Sequence, residues 1–139
     1  MKNDLERFID AQEDLYETAL IEIRKGKKES HWMWFIFPQI VGLGQSDVSK
    51  YYAIQDIEHA TEFLNHTVLG KRLTAISKEL LTHRGLRAED VFGFPDNMKL
   101  KSCMTLFGQV EEADSVFEKV LNMWFGGDLD EKTLHNLRQ

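Results

Sequence analysis

The run Trp32-Met33-Trp34-Phe35-Ile36-Phe37 constrains this chain more than any other segment. Six bulky apolar side chains in succession leave no face for water, so the segment belongs inside whatever forms around it. Its flanks are polar, with Ser30 and His31 before it and Pro38 and Gln39 after it. A buried indole N–H needs a hydrogen-bond partner, and an imidazole needs one for each nitrogen. The segment therefore carries a polar network into the core or lines a pocket. Periodicity alone fits a buried strand or a buried helix. Pro38 argues against a central strand, because it donates nothing to a ladder.

The rest of the chain reads as helix. Leu5, Phe8, Ile9, Leu15, Tyr16, Ala19, Leu20 and Ile23 recur at helical spacing, with Asn3 or Asp4 as a start and Gly26 as an end. The cations Arg24, Lys25, Lys27 and Lys28 at that end are read as complementing the helix dipole. Ser46-Asp47 starts a short helix and Asp56 another. Leu69, Leu73, Ile76, Leu80 and Leu81 mark a longer one that stops near Gly85. A turn of helix spans Ala88 to Phe92, and Pro95-Asp96-Asn97 leads into a helix through Val110. Asp114 caps the next and Asp130 the last. No alternating strand pattern appears. The expectation is an all-α fold, one domain over residues 1–139, built as a bundle of about six to eight short helices.

Composition narrows the function classes. The 139 residues carry 17 basic and 23 acidic side chains, a net charge of −6. That sign argues against a protein that tracks nucleic-acid phosphates, and the aromatic run has no basic residues interleaved. The first residues show no secretory leader, and the longest apolar run falls far short of the about 20 residues that span a bilayer. With a single cysteine, Cys103, no internal disulfide forms, and the expected location is cytoplasmic.

The decapeptide Ser30-His31-Trp32-Met33-Trp34-Phe35-Ile36-Phe37-Pro38-Gln39, followed by Gly42-Leu43-Gly44 and Ser46, closely resembles the signature of the domain of unknown function 1810 family. The resemblance continues through Tyr52-Ala53-Ile54, Leu69-Gly70-Lys71-Arg72-Leu73, Phe92-Gly93 with Asp96 and Lys99, Met104-Thr105-Leu106-Phe107, Val116-Phe117 and Thr133-Leu134. It covers nearly the whole chain. It implies a compact all-helical domain and little about activity. Two positions depart from the family pattern: Thr67 where a proline is usual, and Cys103 where a serine is usual.

The chemical candidates follow from side-chain type. His31 is the acid–base candidate, because imidazole moves protons near neutral pH. Ser30 beside it is no nucleophile partner, since neighbours on a helix point about 100° apart. Gln39 and Trp34 suit ligand contact. Gly42 and Gly44 before a helix start can present backbone N–H groups to an anion, although an ordinary turn needs the same residues. Lys99 and Ser102 share a helix face and suit a phosphate or carboxylate. Cys103 falls among apolar residues and reads as a buried, inert thiol. His59, Glu62 and His66 share a face without matching a metal motif, so no metal and no cofactor is assigned.

Two functions fit. The first is binding or processing of a small anionic, nucleotide-like ligand in a pocket joining His31, Ser30, Trp34 and Gln39 to the Gly42–Gly44 loop and to Lys99 and Ser102. His31 would carry the proton if a reaction occurs. The second is a non-catalytic interaction module whose acidic helices dock a protein partner, the aromatic run serving only as core. Trp124 and Phe125 suit either core packing or a homodimer face.

Overall fold

The protein is described over residues 5–139 in a computed structural model. Among these residues there are nine helices and no strand: α1 (Glu6–Lys25), α2 (Met33–Ile36), α3 (Asp47–Tyr51), α4 (Ile57–Asn65), α5 (Leu69–Leu80), α6 (Ala88–Phe92), α7 (Asp96–Gly108), α8 (Val116–Phe125) and α9 (Glu131–Leu137). The all-α expectation holds. The number exceeds six to eight because α2, α3 and α6 are single turns of four or five residues. None of the described helices is long and apolar enough to cross a membrane.

The side-chain caps sit where the sequence puts them. Ser46 accepts the N–H of Ser49 at 3.1 Å, Asp56 that of His59 at 2.8 Å and Asp130 that of Thr133 at 3.2 Å. Each satisfies a donor that the first helical turn leaves without a partner. The proposed α1 caps Asn3 and Asp4 lie outside the described residues.

The aromatic run becomes helix only from Met33 to Ile36. Phe37, at φ −123° and ψ 72°, has already left the helical region. The cause is Pro38, whose ring disfavours helical geometry in the residue before it. The chain then runs extended, and Ile40 forms an isolated parallel bridge with Ile54: Ile54 N–H donates to Gln39 at 2.9 Å, and Val41 N–H to Ile54 at 2.8 Å. Gln12 of α1 donates to the Phe35 carbonyl at 2.8 Å, which the short helix leaves without a partner.

One apolar cluster joins α1, α2 and α4 to α8. Phe8, Phe63, Phe107 and Phe117 form one row through it, with ring centroids 5.1, 5.4 and 6.1 Å apart in turn. Trp32, Phe37, Phe92 and Trp124 form a second. Such offset and edge contacts are the favoured aromatic geometries. Trp124 and Phe125 are partly buried against the cluster.

Candidate functional site

The two tryptophans of the run divide the work. Trp32 is fully buried and donates its indole N–H to Glu22 Oε1 at 2.9 Å. The same carboxylate accepts the N–H groups of Glu29 and Ser30 at 2.8 and 3.0 Å and the Ser30 hydroxyl at 2.6 Å. Burial pushes the Glu22 carboxyl upward, but these four hydrogen bonds outweigh it and hold its pKa at about 2. Glu22 is thus a buried anion that ties the end of α1 to the start of the aromatic run.

Trp34 faces the other way. Lys99 Nζ lies 5.0 Å from its ring centroid, and Lys28 Nζ lies 5.2 Å from that of Trp32. Both ammonium groups meet on Asp96, Lys28 at 2.9 Å from one oxygen and Lys99 at 3.3 Å from the other. The Lys28 side chain is 9% exposed and that of Lys99 is 23% exposed. Among the described residues no other carboxylate pairs with either lysine. Two cations against one anion leave a positive charge over, in surroundings that screen it poorly. Lys28 is therefore more than a complement to the α1 dipole. Arg24 and Lys25 pair at the surface, with Glu79 and Glu29, while Lys28 turns inward.

Lys99 lines a cleft of about 580 Å³ together with Gln39, Gly44, Ser49, Met98, Ser102 and the start of α9. A small crevice beside it is lined by Trp34, Gln39, Gly42 and Gly44. The glycines let the loop lie close to its neighbours. Gly42 has φ +97°, and a Cβ there would come within 2.9 Å of Asn136 Nδ2, which donates to the Val41 carbonyl at 3.0 Å. A Cβ on Gly44 would come within 2.5 Å of Ser49. Close approach, rather than display of N–H groups, explains this pair.

The candidates divide as follows. Trp34, Gln39, Gly42, Gly44, Lys99 and Ser102 come together around the cleft and its crevice. Ser30 does not, because its hydroxyl and N–H are held by Glu22. His31 is exposed and lines neither space, since the turn of α2 begins two residues after it and carries the chain away. The cleft lining holds no imidazole. Ser102 is present, but its proton is committed to Asp130 at 3.0 Å and to the Met98 carbonyl at 3.2 Å. Asp130 also receives the Thr133 hydroxyl at 2.5 Å and gives its N–H to Thr105 at 2.9 Å. This cap seats α9 on α7, so Asp130→Ala should cost about 2 kcal/mol in chemical denaturation.

The family model described as protein of unknown function (DUF1810) matches residues 2–137. The chain belongs to this family. A solved structure is similar to it: the conserved hypothetical protein Rv1873 from Mycobacterium tuberculosis, 39% identical, with 99% of this chain and 98% of that chain covered and a TM-score of 0.96. No curated protein matches. In this DUF1810 protein, Cys103 is fully buried, and burial pushes its thiol well up from the usual range. That agrees with an inert thiol. His59 Nδ1 accepts the Gln55 N–H at 2.9 Å in the core, and His66 Nδ1 accepts from Val68 and Leu69 at 3.1 and 3.3 Å. Both are structural acceptors, and the described residues contain no cluster suited to a metal ion.

Glu22, Gln12, Lys28 and Asp96 were missed by sequence reasoning. The first two lie on the apolar stripe of α1, Gln12 midway between Phe8 and Tyr16 and Glu22 three residues after Ala19. A polar residue on such a stripe was the available signal.

Proposed function

We propose that the cleft binds a small molecule through an anionic group held by Lys99, a class that includes nucleotide-like ligands. The observation that carries this is the surplus positive charge of the Lys28–Asp96–Lys99 group at the edge of a partly apolar cleft. A poorly solvated charge without a full counter-charge is costly, and an incoming anion supplies one. Gln39, with an amide that both donates and accepts, stands across from it in the same lining. The volume suits a small organic ligand. The chemistry assigned is binding, since the lining has no imidazole to move a proton. The lone buried thiol supports a cytoplasmic location.

Thermal denaturation against nucleotides, nucleotide sugars and small carboxylates tests the reading. A ligand at a hundred times its dissociation constant stabilises by about 2.7 kcal/mol. Lys99→Met should abolish the shift. Lys28→Met should weaken it as well, although Lys28 does not line the cleft, because it leaves Lys99 and Asp96 balanced one to one. A shift that persists in Lys99→Met overturns the assignment.

The second reading, a protein-interaction module, draws on Phe94, which is 80% exposed beside Pro95 and Met98 at the cleft edge. Absence of any shift with anions, together with a partner lost on Phe94→Ala, would favour it.

A further inference from the structure

The cleft is not uniformly positive, and its polarity narrows the ligand class. One end holds Lys99 with its surplus charge. The other is formed by Asp130, Glu131 and Lys132 at the start of α9. The three hydrogen bonds to the Asp130 carboxylate all fall on Oδ2, leaving Oδ1 outside the cap. Two carboxylates against one ammonium leave this end one negative charge. Leu43, Pro95 and Met98 supply apolar wall. The two ends are also close. Lys99 and Ser102 are one turn of α7 apart, about 5–6 Å between Cβ atoms, and Ser102 touches Asp130 at 3.0 Å.

From this arrangement we infer that the cleft selects a ligand with one negative charge and a protonated amine at its opposite end, joined by a compact apolar body. This rests on the anion-binding reading above and goes beyond it. A second negative charge on the ligand would meet Asp130 and Glu131, and like charges at close range in a shielded site repel strongly. An amine there is attracted instead. The inference disfavours multiply charged phosphates and favours small zwitterions of the amino-acid type.

A matched series of probes tests it: 4-(aminomethyl)benzoate, 4-methylbenzoate and terephthalate share a benzene ring and differ in charge. Binding is read by isothermal titration and by the indole N–H signals of Trp34 and Trp32 in NMR spectra. The expected order is zwitterion, then monoanion, then dianion, with at least about tenfold between first and last. The double variant Asp130→Asn, Glu131→Gln should bring the first two probes to equal affinity and raise that of terephthalate. Asn retains a capping oxygen, so the variant keeps α9 in place. Glu131→Gln alone, at an exposed position, should narrow the gap in the same direction. If the order is unchanged in both variants, or if terephthalate binds wild type best, the inference fails and the anion-binding reading stands. If no probe binds at millimolar concentration, and no anion in the thermal screen shifts the protein, both fail.

Discussion

Glu22→Ala should destabilise the protein by about 3–5 kcal/mol. The substitution removes one acceptor group and leaves several donors behind, among them the fully buried indole N–H of Trp32. An unsatisfied buried donor costs more than the bond itself contributes. Glu22→Gln keeps one carbonyl oxygen and should cost only about 1–2 kcal/mol. Acid separates the two effects. In the unfolded chain the carboxyl titrates near 4.5, and in the folded protein it is held at about 2. A depressed folded pKa gives stability that is fully present above the unfolded value and lost as pH falls through the folded one. Wild type should therefore lose about 3 kcal/mol between pH 4.5 and about pH 2 through this group. Glu22→Gln should lack that part of the loss. Urea titrations at a series of pH values measure it, and an identical acid profile for wild type and Glu22→Gln would remove Glu22 from this role.

Gly70→Ala is the other large effect. Helix propensity alone would make this change favourable by about 1 kcal/mol. The packing reverses the sign. A Cβ on Gly70 would lie 1.8 Å from the Leu64 carbonyl oxygen and 2.7 Å from its carbon. Those are backbone atoms of α4, which no rotamer change can move aside. α5 would have to withdraw from α4, taking the buried Leu69 and Leu73 out of register with the core. The expected loss is about 3 kcal/mol or more, at the upper end of overpacking costs. Thermal denaturation reads it directly, and a neutral or stabilising result would show that α4 and α5 are not held at this distance.

The contrast between legible and illegible features follows from range. Caps act within one turn, so Ser46, Asp56 and Asp130 were readable, as was the stop imposed by Pro38. The helical stripe of α1 was readable because its period is local. Glu22 and Lys28 were not, because each takes its meaning from a partner met only after folding: Trp32 for one and Asp96 for the other. Lys99 and Ser102 could be placed on one helix face from their spacing. That Ser102 would spend its proton on a residue 28 positions later could not. His31 and Ser30 were drawn into the candidate pocket by adjacency to Trp32 and Trp34. In space, a run that changes from loop to single turn to extended chain sends neighbours in different directions.

The single sulfhydryl, Cys103, gives this molecule a clock. It lies fully buried in α7, between the two aromatic rows, with no second cysteine to confuse a signal. A thiol-specific dye cannot reach it until the surrounding helices part. The labelling rate therefore counts large-scale opening events under conditions where nearly every molecule is folded. No reporter has to be engineered for such a measurement.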